Sequence, residues 1–75
     1  MNNKLREKII EILKNRDMTS EEIMKEILKT STEFSPMEFR ETLADLVREG
    51  IIEKYPVYEN KKFYFKLKKN FVPQF

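Results

Sequence analysis

The residues of this chain best suited to chemistry are lysines interleaved with tyrosines in its last third. Lys61 and Lys62 are adjacent, and Tyr58 and Tyr64 flank them. The other lysines of this stretch are Lys54, Lys66, Lys68 and Lys69. Ammonium groups neutralise phosphates, and aromatic rings among them are typical of surfaces that contact nucleic acid. The alternative interpretation is protection of a sheet edge, because exposed lysines on edge strands prevent association between sheets.

The composition excludes several kinds of site. The 75 residues include no cysteine and no histidine, so disulfides, thiol nucleophiles and most zinc sites are excluded. No pattern of a catalytic base or a glycine-rich phosphate loop is present. We therefore expect no enzyme, no cofactor and no metal. Apolar runs are only a few residues long and residues 1–4 are polar apart from the initiator, so we expect no membrane segment and a cytoplasmic protein.

Charge is distributed unevenly along the chain. The net charge is only +2, but residues 1–35 carry seven basic and seven acidic groups, residues 36–49 two and four, and residues 50–75 six and two. Positive charge is thus concentrated near the C-terminus, and the segment before it is acidic.

Three amphipathic helices should position these charges. An apolar stripe with helical spacing predicts helix 1 over residues 4–15. The stripe consists of Leu5, Ile9, Ile12 and Leu13. Thr19, with Glu22 three residues later, has the pattern of a capping box and predicts helix 2 over residues 20–29. Ser35, Pro36 and Glu38 have the same pattern with proline at the first position, and predict helix 3 over residues 36–49.

A β-hairpin is predicted over residues 51–68. Gly50 permits the left-handed turn that ends helix 3, and apolar residues then alternate with polar ones around a turn at residues 59–61. With three residues in the turn, one face is directed to the core: Tyr55, Val57, Phe63, Phe65 and Leu67. The solvent face then holds Lys54, Tyr58, Lys62, Tyr64 and Lys66. Lys54 would oppose Lys66, an unfavourable pair that an anionic ligand would relieve.

Three segments carry a resemblance to a known family. They are Thr19-Ser20-Glu21-Glu22-Ile23, Ser35-Pro36, and Leu46-Val47-Arg48-Glu49-Gly50-Ile51-Ile52. Together they resemble the winged helix-turn-helix superfamily, especially small bacterial and archaeal transcription regulators. The resemblance covers nearly the whole chain and implies one α+β domain over residues 1–75: a winged helix, with a three-helix bundle and a C-terminal β-hairpin wing. The connection over residues 30–34 is longer than that of a strict helix-turn-helix.

The resemblance implies that helix 3 enters the major groove of double-stranded DNA while the wing contacts phosphates. The expected DNA-binding residues are Ser35, Met37, Arg40, Glu41, Ala44, Arg48, Tyr58, Lys61, Lys62 and Tyr64. The outward face of helix 3, which also includes Asp45, is acidic, so Glu41 would have to accept from a cytosine amino group, with Met37 or Ala44 against a thymine methyl. Otherwise this face is solvated or binds protein. Ser35 would hold a phosphate or act only as a cap, and Arg40 would reach a phosphate or pair within its helix.

An apolar tail is predicted over residues 70–75. Phe71, Val72 and Phe75 would fold back on helix 1 or, together with helix 1, form a homodimer contact. A dimer would present two wings to half-sites ~34 Å apart. The alternative function is a protein–protein interaction winged-helix module within a transcription or replication assembly.

Overall fold

Three helices and one antiparallel sheet make up the fold in the computed structural model, which describes residues 3–30 and 33–68. The elements, in chain order, are α1 (Asn3–Leu13), β1 (Met18–Thr19), α2 (Ser20–Leu28), α3 (Pro36–Arg48), β2 (Ile52–Val57) and β3 (Lys62–Leu67). The predicted α+β class is confirmed, and each predicted helix end agrees within two residues.

The sheet has a third strand that the sequence did not predict. β1 pairs antiparallel with β3, placing Met18 opposite Phe65 and Thr19 opposite Tyr64. The strand order is β1-β3-β2, so β3 is central. Thr19 caps α2 as predicted, and together with Met18 it also extends the sheet.

The predicted register of the hairpin is wrong. The loop contains four residues, 58–61, because Val57 is paired with Lys62. Every β2 side chain is therefore on the face opposite to the predicted one, since one extra loop residue reverses the alternation. Tyr55 and Val57 lie on the outer face, with Tyr64, whereas Lys54 lies on the helix-facing side opposite Phe65.

The predicted like-charge pair is also absent, for the same reason. Lys66 is opposite Glu53 rather than Lys54, and its Nζ lies 3.7 Å from a Glu53 carboxylate oxygen. Lys68 Nζ lies 3.9 Å from the same carboxylate. Lys66 is thus attracted to Glu53 rather than repelled by Lys54, and no repulsion between them remains for an anionic ligand to relieve.

The core lies where the three helices meet the inner face of the sheet. Its buried apolar side chains are Leu5, Ile9, Leu13, Met18, Ile23, Ile27, Phe39, Leu43, Leu46, Ile51, Ile52 and Phe65. The predicted stripe of helix 1 is confirmed, with Leu5, Ile9 and Leu13 buried and Ile12 packed against the core. Leu28, at the end of α2, is 46% exposed. Across residues 3–30 and 33–68, no helix is both long enough and apolar enough to cross a bilayer.

The predicted apolar tail lies outside the described residues. Phe71, Val72 and Phe75 belong to that segment. The homodimer expected to form through these residues and α1 therefore stays a prediction.

Candidate nucleic-acid interface

The first turn of α3 is closed by a reciprocal cap. The Ser35 hydroxyl accepts from the Glu38 amide at 3.1 Å, and the Glu38 carboxylate accepts from the Ser35 amide at 3.0 Å. Phe34 lies against Phe39, with ring centroids 6.2 Å apart, which fixes how the chain enters the helix. Of the two roles considered for Ser35, this geometry supports the cap, because its hydroxyl already has a backbone partner.

The predicted outward face of α3 is confirmed by exposure. All of the α3 residues that are expected to contact DNA are exposed, namely Met37, Arg40, Glu41, Ala44 and Arg48. Met37 is 67% exposed. Asp45 is half-buried, since it lies toward α1. A ligand that approached α3 from outside would therefore meet the predicted side chains.

The acidic residues of α3 lie along one side of the helix and mostly have partners. Glu38, Glu41, Asp45 and Glu49 follow each other at helical spacing. Glu49 accepts two hydrogen bonds from the Arg6 guanidinium of α1, at 2.8 and 3.2 Å. The bonds to Glu49, with the charges of Glu49 and Asp45, raise the pKa of Arg6. The row of carboxylates therefore ends next to α1, where Asp45 and Glu49 act on Arg6, and none of its members lines the far side of α3.

Arg48 belongs to this acidic side as well. Its guanidinium donates to the Asp45 carboxylate at 2.5 Å, within the same helix. A phosphate contact by Arg48 would have to compete with this neighbour. Among the acids of α3 in the described chain, Glu41 alone has neither a hydrogen bond nor an ion pair.

The opposite side of α3 borders a groove that contains no acidic residue of that helix. The groove has a volume of about 570 Å³ and lies between α2, α3 and the inner face of the sheet. Its α3 residues are Phe39, Arg40, Leu43, Ala44 and Val47, and the rest of its lining is Ser20, Glu21, Met24, Lys54 and Phe65. The groove is thus an apolar surface bordered by a few charged groups.

Two of those charged groups are cations without a carboxylate partner. Neither Arg40 nor Lys54 has an acidic oxygen within 4.0 Å among the described residues. Lys54 Nζ lies 4.6 Å from the centroid of the Phe63 ring, a weakly attractive position for a cation. The third charged group, Glu21, lies 3.6 Å from Lys62 Nζ. Arg40 of α3 and Lys54 of β2 are therefore the uncompensated charges of the groove.

The hairpin tip presents a third uncompensated cation. Lys61 is exposed and has no carboxylate within 4.0 Å in the described part of the chain. Its backbone is left-handed, with φ of 56°. Tyr58, at the start of the loop, is 83% exposed. Lys61 and Tyr58 are thus available to a ligand, as predicted from the sequence.

Tyr64 does not line the groove. It lies on the outer face of the sheet, where its ring stacks on Tyr55 with centroids 6.1 Å apart. Its hydroxyl accepts from Asn60 Nδ2 at 2.7 Å. This predicted DNA contact is therefore separated by the sheet from Arg40 and Ala44.

Lys54 is the residue whose place at the interface sequence reasoning missed, because the wrong register placed it on the opposite face. Its position depends on a single loop residue, for which the sequence contains no strong signal. The row of acids along α3, by contrast, could have been found from spacing alone. An overall acidic charge for the outward face does not reveal that the acids and Arg40 lie on different sides of α3.

Comparison with protein-family models, curated proteins and solved structures found no match to this chain. The geometry of the described residues is therefore the basis on which a function is inferred.

Proposed function

We propose that this chain is a winged-helix protein that binds double-stranded DNA, with the side of α3 that carries Arg40 and the β2–β3 hairpin both facing the duplex. Three helices and a three-stranded antiparallel sheet are compatible with a winged-helix layout. The hairpin is the wing in this proposal, and transcription regulation is the role that such a small DNA-binding domain fits best.

The observation that carries the proposal is the convergence of Arg40 and Lys54 on one groove. One cation comes from the helix and the other from the hairpin. Neither has an acidic partner among the described residues, so a phosphate would not have to displace an existing ion pair. Lys61 adds a third such cation at the hairpin tip. Because the carboxylates of α3 lie on its other side, they oppose a duplex at this groove less than the acidic sequence of the helix suggests.

The affinity for a polyanion bound in this way would fall steeply as the salt concentration rises. With Arg40, Lys54 and Lys61 each neutralising one phosphate, the logarithm of the association constant should fall with the logarithm of salt concentration with a slope of about −3. We expect Arg40→Ala, Lys54→Ala and Lys61→Ala each to weaken binding and to reduce the steepness of that slope by about 1. Fluorescence anisotropy of a labelled duplex across a salt series measures both quantities.

Lys4→Ala is the matched control. Lys4 is an exposed lysine of α1 without a carboxylate partner in the described chain, and α1 is on the acidic side of α3. We expect it to leave the slope unchanged. Absence of saturable binding at low salt, or an equal loss of slope in Lys4→Ala, would show that no duplex occupies this interface.

A protein-interaction module is the second candidate function, favoured by exposed apolar side chains. Met37, Phe63 and Leu28 are 67%, 52% and 46% exposed, and a contiguous patch formed by such side chains would mark a surface that docks onto a partner. Binding to such a partner would depend only weakly on salt. Loss of partner binding in Met37→Ser, together with absence of duplex binding, would favour this candidate over the first.

A further inference from the structure

The apolar floor of the groove is not explained by phosphate binding. A duplex backbone needs cations on a surface, but it gains little from the apolar side chains that line the groove between them. These are Met24, Leu43, Val47 and the ring of Phe65. The volume of about 570 Å³ is within the range of roughly 300–1,000 Å³ that is typical of small-molecule sites. The groove is thus large enough for a small organic ligand.

The charge at the border of the groove selects the kind of ligand. Arg40 and Lys54 are without acidic partners in the described chain, whereas Glu21 is offset by Lys62 at 3.6 Å. The net charge that a ligand in the groove would meet is therefore positive. A guanidinium binds a carboxylate through two parallel hydrogen bonds, and an ammonium adds a second, less directional attraction. The complementary ligand has one carboxylate and an apolar body.

We propose that this groove binds an amphipathic organic carboxylate. Its carboxylate is held by Arg40 and Lys54, and its hydrocarbon body lies along the α3 side chains Leu43 and Val47, with Met24 and Phe65 on the other walls. The apolar body provides most of the affinity, because burial from water scales with hydrocarbon area. The two cations provide the preference for an acid over a neutral molecule of the same shape.

The site has a regulatory consequence, which rests on the proposed function. Arg40 and Lys54 are also proposed phosphate contacts, so the carboxylate and the duplex would compete for the same two groups. A bound acid would weaken DNA binding without any change of fold. The ligand site itself does not depend on DNA and is tested without it.

Decanoate, kept below its micelle-forming concentration, is the probe. Titration of the isotopically labelled full chain, followed by two-dimensional amide NMR, should shift signals of α3, Ser20 to Met24 and residues 54 and 65. We expect Arg40→Ala and Lys54→Ala each to raise the dissociation constant about tenfold, the effect of losing one charged hydrogen bond. Lys61→Ala, outside the groove, should not change it.

Two analogues, the neutral decanol and the shorter hexanoate, separate the contribution of the charge from that of the hydrocarbon chain. Decanol should bind at least about tenfold more weakly than decanoate because it lacks the carboxylate that both cations hold. Hexanoate should bind at least about tenfold more weakly because it buries less hydrocarbon. Equal affinity for decanol, or shifts scattered over the whole surface, would overturn the proposal.

Adding labelled duplex then distinguishes the two proposals. Displacement of the duplex by decanoate, but not by decanol, supports competition at Arg40 and Lys54. Localised decanoate binding without any duplex binding would end the DNA proposal and leave the carboxylate site intact. Duplex binding with no localised decanoate shifts would overturn the carboxylate site and leave the DNA proposal intact.

Discussion

Tyr55 and Asp17 form a contact between residues that are far apart in the chain. The phenol O–H donates to Asp17 Oδ2 at 2.5 Å, tying the connection after α1 to the outer face of β2. This hydrogen bond, helped by partial burial and by the charge of Asp17, raises the pKa of Tyr55 from 10.0 to about 12. The fold therefore favours the protonated phenol.

The pH dependence of stability follows from the sign of this shift. Because the folded pKa lies above the ordinary value, the contribution of Tyr55 is complete below about pH 10 and is lost as pH rises toward about 12. We expect one tyrosine to ionise late in an absorbance titration of the native chain. Tyr55→Phe should lack that late step.

Asp17→Asn tests whether the charge of Asp17 causes the raised pKa of Tyr55. It keeps a side-chain acceptor but removes the negative charge, so the late ionisation should move back toward 10, the ordinary tyrosine value. A late step that persisted in Tyr55→Phe would assign it to another tyrosine. The contact itself was not predictable, since the expected register placed Tyr55 on the core side.

Two residues with left-handed backbones determine how α3 and the hairpin turn. Gly50 has φ of 79° and follows α3 in a complete C-terminal cap: its amide donates to Val47 O, and the Ile51 amide donates to Leu46 O, both at 3.0 Å. Lys61 has φ of 56° in the hairpin loop. Glycine adopts this conformation without penalty, whereas lysine does not.

Substitutions at these two positions should act in opposite directions. A Cβ added at Gly50 would meet nothing within 4 Å, so Gly50→Ala has no steric clash and should cost about 1 kcal/mol from backbone strain alone. Lys61→Gly should relieve strain and stabilise by up to about 1 kcal/mol. Urea denaturation measures both changes in the free energy of unfolding.

Lys61→Ala separates strain from charge, because it removes the ammonium group but keeps a Cβ. Its stability should remain near that of the native chain. If Gly50→Ala left the unfolding midpoint unchanged, the left-handed cap would not contribute to stability.

The starts of the helices were predictable from sequence, and the pairing of the strands was not. Ser35 with Glu38, and Thr19 with Glu22, are cap pairs within four consecutive residues, so local chemistry specifies them. The hairpin register depends on the loop length. The loop contains a lysine with a left-handed backbone, and no local sequence preference predicts that conformation for lysine. β1 is only two residues long and forms only when β3 is present to pair with it.

At the scale of the whole molecule, a small core carries the stability. Ile23 has no solvent exposure and belongs to the buried cluster. Ile23→Ala should cost about 2–5 kcal/mol, a large share of the roughly 4–11 kcal/mol expected for a domain of this length. We expect a much lower urea midpoint, or loss of the cooperative transition.

Met37→Ala is the surface counterpart. With 67% of its side chain exposed, it should change the unfolding free energy by no more than about 0.5 kcal/mol. A loss in Met37→Ala as large as that in Ile23→Ala would mean that Met37 is covered in solution, for example by a second copy of the chain.

The distribution of charge over the molecule was only partly predictable. The concentration of lysines after Gly50 is plain in the sequence, but part of their charge is offset in the described chain: Lys62 lies within 4 Å of a Glu21 oxygen, and Lys66 and Lys68 share the carboxylate of Glu53. These pairs depend on the register and on the approach of α2 to the hairpin, which only tertiary structure specifies.

Thr19 belongs to two elements at once. It is opposite Tyr64 in the sheet, and its hydroxyl accepts from the Glu22 amide at 3.2 Å to begin α2. Pulling the hairpin outward therefore strains the first turn of that helix as well. The hairpin is thus joined to the helices through β1 as well as through its own chain, and a force applied to it would be transmitted to α2.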